Sequence, residues 1–311
     1  MYYPYFRGKQ FELVLLREQA AFLASNNIHP ILEPVKDNLS SLRKVLEEFA
    51  KNEVEFTLIV NPLVGELKTS TQNILDLSAD FASSGLSLGY IVNAQTNETQ
   101  LASIVRANSS YNFSIIHYGF TEGQNLSSVT NKLSNIKEHI FIDGFAGKLY
   151  QRHFKKDGIS QILIRDGFKV MKNEDYPDSE HFSELHITYA NEGMDGFGDY
   201  LIVGDEYREG GGPAYAVAIH LSYLDKESDM YVSHFKSDRT GSPTDPAGKF
   251  LEALEKLIIA IEKSNSLIYY SDACKEYKEL YDKKHFPGLG YVKKLSMQHH
   301  LELVAKFTSK A

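Results

Sequence analysis

Short β-rich runs alternate with amphipathic stretches across the first half of the chain, and this alternation limits the fold more than any other feature. The runs are His29–Val35, Glu55–Val60, Leu86–Val92, Asn112–Tyr118, His139–Asp143 and Gln161–Asp166. Helical spacing of apolar residues predicts helices between them at Leu39–Lys51, Ser70–Ser83, Thr96–Ala107 and Leu126–Ile136. The connection from Gly144 to Gly158 carries no clear period. Strand starts recur at roughly 20 to 30 residues, the length of one βα unit. Each helix returns the chain to the same end of the sheet, so the strands run parallel.

The second half is less regular. Asp175–Glu180 reads as a loop, followed by a helix near His181–Ala190 and a seventh strand at Gly198–Val203. Tyr215–Leu224 reads as the eighth strand. The turn Asp225–Ser228 joins it to Met230–Phe235 and is too short for a parallel crossover, so it forms an antiparallel hairpin. A helix at Ala247–Lys263 follows, with Asp245 as N-cap and Pro246 at the first helical position. A further helix is expected at Lys9–Asn26, and residues from Asn265 read as a helical tail.

Eight such runs predict a (β/α)8 barrel, and the competing arrangement is an open doubly wound sheet with an antiparallel edge. No dinucleotide fingerprint accompanies the repeat, which favours the barrel. The expected division is a barrel over 1–264 and a helical extension over 265–311 packed on it.

Composition narrows the function classes. The formal net charge of −8 opposes general binding to a phosphate backbone. Cys274 is the single cysteine, which excludes an internal disulfide and any multi-cysteine metal site. It reads as an inert thiol within a helix. The opening Met1–Arg7 lacks a signal-peptide core, and no apolar run is long enough to span a bilayer, so a cytoplasmic protein is expected.

In parallel α/β folds ligands bind beyond the carboxyl ends of the strands, where the βα loops converge. The polar residues expected there are Glu33 and Lys36, Asn61, Asn93, His117, Asp143, Arg165 with Asp166, and Asp205 with Glu206, with His220 inside the eighth strand. His117 beside Asp143 or Asp166 has the chemistry of a general base oriented by a carboxylate. His117, Asp143, Asp166 and Asp205 together offer a donor set for a divalent metal. Lys36 offers an electrophile or a Schiff-base amine. The run Glu209-Gly210-Gly211-Gly212-Pro213 and the helix start with Lys249 offer backbone amides and a cation for a phosphate, although Glu206 and Glu209 oppose that use. None of these groups shows a motif spacing, and polar residues also cap strand ends for purely structural reasons. His299 and His300, adjacent on a helix, face different ways and suit packing or capping. Lys283-Lys284 and Lys293-Lys294 read as a solvated basic face.

Several ordered segments resemble a family of uncharacterised bacterial and phage proteins called the beta protein family. They are Tyr3-Pro4-Tyr5-Phe6-Arg7-Gly8-Lys9-Gln10-Phe11-Glu12, Leu32-Glu33-Pro34-Val35, Phe197-Gly198-Asp199-Tyr200, Ala218-Ile219-His220-Leu221 and His234-Phe235. The tail Phe286–Leu303 is similar to a bacterial subgroup. The resemblance implies a barrel-like fold and a place among phage-defence or mobile-element genes, carries no established reaction, and draws attention to Lys9, Glu33, Asp199, His220 and His234.

The expectation is therefore an enzyme-like barrel binding a small polar or phosphorylated ligand. Lys36, His117, Asp143, Asp166, Asp205 and His220 are its expected catalytic residues. Glu33, Asn61, Asn93, Arg165, Gly211, Gly212 and Lys249 are its expected ligand-binding residues. The alternatives are a non-catalytic scaffold that captures a protein partner through the tail, and a nucleic-acid-processing accessory whose binding would fall steeply with salt.

Overall fold

The alternating segments close into a parallel barrel in the computed structural model, which describes residues 1–68, 70–82 and 85–309. Eight strands pair in the order β1 (Tyr5–Phe6), β2 (Ile31–Leu32), β3 (Phe56–Ile59), β4 (Leu86–Val92), β5 (Asn112–His117), β6 (Ile136–Ile142), β7 (Ser160–Ile164) and β9 (Gly196–Gly198). The two ends of this row meet. Tyr2 bridges Phe197, the Tyr3 N–H donates to the Phe197 carbonyl at 2.8 Å, and the Tyr5 N–H donates to the Asp199 carbonyl at 2.9 Å. Closure satisfies the edge groups that an open sheet would leave unpaired. The doubly wound alternative is thereby excluded.

Helices fill the crossovers as the apolar spacing requires. The helix α1 (Gln10–Glu18) and the short α2 (Ala20–Ser25) replace the single helix expected before β2, with a break at Gln19. In α3 (Ser40–Asn52), Leu42, Val45, Leu46 and Phe49 form one buried stripe, and Glu53 stops the helix in the left-handed conformation. The expected end of the next helix at Ser83 lies outside the described residues; α4 runs Thr71–Ala79. The Asn97 side chain accepts from the Thr99 and Gln100 N–H groups and starts α5 (Glu98–Ala107). The helix α6 (Gly123–Thr130) ends earlier than expected, because Ile136 already belongs to β6. The unclear fifth connection holds a single turn, α7 (Lys148–Gln151), running into a 3-10 turn at Arg152–Phe154.

Two expectations about strands are corrected. The first barrel strand is Tyr5–Phe6, hidden in the sequence by its length of two residues and by Pro4, which lacks a ladder donor. Pro4 contributes its carbonyl instead, accepting from the Ile31 N–H at 2.9 Å. The last strand is Gly196–Gly198, so Tyr215–Leu224 is not in the barrel. Gly198 sits where the seam leaves no space for a side chain: a Cβ there would lie 1.9 Å from the Tyr3 carbonyl oxygen.

A chain of side-chain hydrogen bonds fixes which residues face the barrel interior. His29 Nε2 lies 3.0 Å from Thr57 Oγ1, and Thr57 Oγ1 lies 3.2 Å from Ser114 Oγ. The Ser114 hydroxyl donates to Glu138 Oε2 at 2.7 Å, and the Tyr3 hydroxyl donates to Glu138 Oε1 at 2.9 Å. Thr57 on β3 and Ser114 on β5 belong to non-adjacent strands, so they meet only across the interior. Because side chains alternate, His117, three residues after Ser114, points outward.

By its contacts the described chain forms two compact units. One is Met1–Arg165 with Thr188–Asp199; the other is Asp166–Ile187 with Tyr200 to the end of the described chain. The second unit holds an antiparallel sheet in the order β10 (Ala218–Leu224), β11 (Met230–Lys236), β8 (Ser179–Ser183). The hairpin is as expected, with Leu224 opposite Met230. The helix expected near His181–Ala190 is instead the strand β8 and one turn, α8 (Leu185–Thr188).

Val217, Ile219 and Leu221 pack into one core with α9 (Pro246–Ile261), α10 (Asp272–Asp282) and α11 (Leu289–Thr308). Asp245 caps α9, accepting from the Gly248 N–H at 2.9 Å. The tail is thus part of this unit's interior. His299 bonds Ser271 and the Ser222 carbonyl, at 2.8 and 2.7 Å, and His300 bonds Ser222 Oγ at 3.0 Å. Lys294 is buried beneath the Tyr291 ring, so the lysine pairs do not make one solvated face. Cys274 is buried in α10, where burial pushes its thiol pKa up. Among the described residues no helix is long and apolar enough to cross a membrane.

Candidate functional site

Buried charged side chains gather at the carboxyl ends of β1 and β2. Glu33 follows β2 directly and is only 2% exposed. The Tyr5 hydroxyl donates to its Oε2 at 2.8 Å, the Leu63 N–H donates to its Oε1 at 2.7 Å, and Arg7 Nε lies 3.4 Å from Oε2. Arg7 follows β1 directly, and its guanidinium also lies over the Tyr5 ring. Glu12, in the first turn of α1 and buried, accepts from the Arg7 N–H at 2.7 Å and from the Lys9 N–H at 3.4 Å. The spacing Lys9–Glu12 is that of a capping box, so the same carboxylate starts the helix and holds the strand-end loop. Burial pushes the Lys9 pKa down; Arg7 adds to this and Glu12 opposes it.

Asp199, directly after β9, is also buried, and accepts from the Tyr2 hydroxyl at 2.8 Å. Burial, and then Asp199, raise the Tyr2 pKa well above its usual value. This carboxylate lies on the closing seam. It is one of the positions marked by the family resemblance, as are Lys9 and Glu33.

The other expected residues of the barrel unit take separate places. Asn61 zips to β4, donating to the Ile91 carbonyl at 2.9 Å and accepting from the Ile91 N–H at 2.8 Å. Asn93 closes a turn through the Gln95 N–H. Lys36 is exposed and pairs with Glu66 at 2.8 Å, so the desolvation needed for a Schiff-base amine is missing. Asp143 bonds Arg165 at 2.5 Å; Arg165 also reaches Glu192 at 2.9 Å, and Glu192 bonds Lys148. These four form a partly exposed ion-pair network.

His117 is corrected most clearly. It lies outside the sheet, under Tyr150 and Phe154, with Nδ1 2.7 Å from the Tyr150 hydroxyl and Nε2 2.9 Å from His139 Nδ1. Burial and then His139 hold its pKa well below the usual histidine range, and burial pulls His139 down to about 3. His117 is a packed, neutral residue in this unit, away from the interior face that it was expected to serve.

In the second unit, Asp166 ties its own loop, accepting from the Phe168 and Asp205 N–H groups at 3.0 and 2.7 Å. Gly211 and Gly212 are exposed. The buried Lys249 amine donates to the carbonyls of Ala214, Tyr215 and Ser242, which leaves it a structural cap instead of a phosphate ligand. Of the four expected metal donors, His117 and Asp143 belong to the barrel unit and Asp166 and Asp205 to the second.

His220 belongs to a different array. It stands opposite His234 in the β10–β11 ladder, with the two Nδ1 atoms 2.7 Å apart. His234 Nε2 lies 3.2 Å from Glu180 Oε1 on β8, although neither buried atom has a well-angled hydrogen bond. Tyr176 stacks on His234 at 4.5 Å, and Phe168 meets the His220 ring edge-on at 5.1 Å. Burial holds both imidazoles below their usual pKa, His234 at about 4. A carboxylate–imidazole–imidazole series can orient a proton acceptor. Glu180 and His234 were absent from the expected catalytic set, because only strand pairing places them beside His220.

No protein-family profile and no curated protein matches this chain. Similar solved structures include N-acetylneuraminate lyase from Mycoplasma synoviae, at 10% identity and TM-score 0.44, covering 64% of this chain and 68% of that one. Another is a mutant tryptophan synthase alpha-subunit from the hyperthermophile Pyrococcus furiosus, at 14% identity and TM-score 0.38, covering 65% of this chain and 88% of that one.

Proposed function

We propose that this chain is an enzyme-like barrel that binds a small anionic ligand, phosphorylated or carboxylated, at the carboxyl ends of β1 and β2. The observation that carries this reading is the grouping of Arg7, Lys9, Glu12 and Glu33 at two adjacent strand ends, with Glu33 only 2% exposed. Burying an ion pair costs more than burying apolar groups of similar size, so its retention calls for a use beyond stability. Arg7 supplies a rigid fork suited to a carboxylate or phosphate, and Lys9 a compact positive charge. Glu33 holds the Arg7 side and is the candidate base. The position agrees with the general rule that barrel ligands meet the carboxyl face.

Membership of the beta protein family, with a cytoplasmic phage-defence or mobile-element setting, belongs to the same proposal. Lys9 and Glu33, both from the matching segments, lie at these strand ends.

The test is a thermal-shift titration with inorganic phosphate and a panel of phosphorylated and carboxylated metabolites. A native-state ligand raises Tm by mass action. A saturable rise in the wild type that is lost in Lys9→Met and reduced in Arg7→Lys is expected. A flat panel, or an equal rise in Lys9→Met, overturns the reading.

A further inference from the structure

We propose that the second unit carries a divalent transition-metal site formed by His181, Glu184 and Asp229, independent of the barrel ligand. The ligand atoms of these three side chains lie within 4.8 Å of one another, with His181 Nε2 3.1 Å from Asp229 Oδ1.

Their meeting depends on an irregularity in the strand pairing. Tyr231 pairs with His181, but Met230 pairs with Ser183, so Phe182 is an extra residue on β8. In an unbroken strand, His181 and Glu184 would face opposite sides of the sheet. The bulge shifts the phase by one residue and brings Glu184 to the face of His181 and Tyr231. Asp229, two residues before Tyr231, points to the same face. Bulges re-aim side chains in this way and are frequent beside functional sites. The His220–His234–Glu180 array lies on the opposite face, so the two do not share ligands.

The backbone behind the three groups is held in place. Asp225 accepts from the Glu227 and Asp229 N–H groups at 2.8 and 2.9 Å, which shapes the hairpin turn. His186 Nε2 reaches the Ser228 carbonyl at 2.8 Å, and the Met230 N–H donates to Asp229 Oδ1 at 2.8 Å. The surroundings are negative, since Asp225 stands in the same hairpin turn as Asp229 and accepts from its N–H. One imidazole and two carboxylates suit zinc, cobalt, manganese or iron(II) better than magnesium or calcium, which prefer oxygen alone. His181 and Glu184 are exposed, so coordination positions remain open to water or a substrate.

The experiment is a titration of the full, chelator-treated chain with Co2+ followed by its visible absorption, with Zn2+ competition and equal concentrations of Mg2+ and Ca2+ as comparison ions. One equivalent is expected to bind and to be displaced by Zn2+ but not by Mg2+ or Ca2+. His181→Ala and Glu184→Gln are expected to weaken Co2+ binding tenfold or more with unchanged far-UV circular dichroism. Both positions are exposed, so the folded chain should survive either change. No saturable Co2+ signal, or the same affinity in both variants, overturns the assignment. Because the readout is the metal itself, failure here leaves the barrel-ligand reading untouched.

Discussion

Removing the Glu33 carboxylate should cost the barrel about 3–5 kcal/mol, the range for leaving one side of a buried charge pair without its partner. The structure supplies the accounting. Hydrogen bonds from the Tyr5 hydroxyl and the Leu63 N–H end on Glu33, and Arg7 stands 3.4 Å away. Each bond to a charged acceptor contributes about 1.5–3 kcal/mol, which reaches the same range by a separate route. Glu33→Ala is therefore expected to lower the urea midpoint strongly, measured by far-UV circular dichroism because the chain has no tryptophan. Amide exchange at Leu63 should accelerate in the same variant. Tyr5→Phe supplies the sharper test. Alone it should cost about 1–3 kcal/mol, since it removes a buried donor from a charged acceptor; in the Glu33→Ala background it should cost clearly less, because the bond to Glu33 is already gone. A Glu33→Ala cost below about 1 kcal/mol, or strict additivity with Tyr5→Phe, would refute the reasoning.

Two further outcomes follow from the fold. Gly198→Ala should destabilise by at least the upper end of the usual overpacking range of about 1–3 kcal/mol, because the obstacle is the Tyr3 backbone oxygen and no side chain can turn aside. Gly147→Ala, with nothing within 4 Å, is the control, and equal melting points for the two variants would contradict the seam geometry. His139 and His299 titrate in the folded chain at about 3 and about 4, both depressed chiefly by burial, against an ordinary value of about 6.5. Unfolding therefore takes up protons below pH 6.5: the stability held by these residues is complete above that pH and is lost as pH falls through about 4 for His299 and about 3 for His139. Each contributes a slope of up to about 1.4 kcal/mol per pH unit, so urea midpoints at pH 7 and pH 5 should differ, and equal midpoints would count against the neutral buried imidazoles.

The parallel core was legible because β4, β5 and β7 are apolar runs flanked by amphipathic helices. What was illegible has a physical cause in each case. β1 is two residues long, and pairing alone makes it a strand. β8 carries Ser179, Glu180 and His181, whose polarity suits one strand of an antiparallel sheet and resembles a loop or helix start. Tyr215–Leu224 has strong β character, and sequence does not record which sheet receives it.

The site followed the same logic. Glu33 was readable as a strand-end carboxylate, whereas Arg7 and Glu12 depend on the missed β1. The Lys9–Glu12 spacing is itself a helix-start signal. The facing of His117 was undetermined, since parallel strands are apolar on both sides and Ile115 and Ile116 give no parity. The Thr57–Ser114 contact across the barrel and the Tyr150 and Phe154 rings over His117 decide it.

The seam has a consequence for synthesis. Tyr2 and its partner Asp199 are 197 positions apart. At translation rates of about 5–20 residues per second, the first strand waits roughly 10 to 40 seconds before the strand that completes the ring exists. During that interval the nascent sheet is an open arc with two reactive borders. The chain also spends residues 166–187 on the other unit before returning for β9, so the two units are interleaved along the polypeptide. A terminal deletion that ends anywhere before residue 199 removes the closure, and one that ends there strands the inserted segment without its partners. The ring is assembled late and cannot be cut free cleanly, which places the demand for protection on the growing chain instead of the finished one.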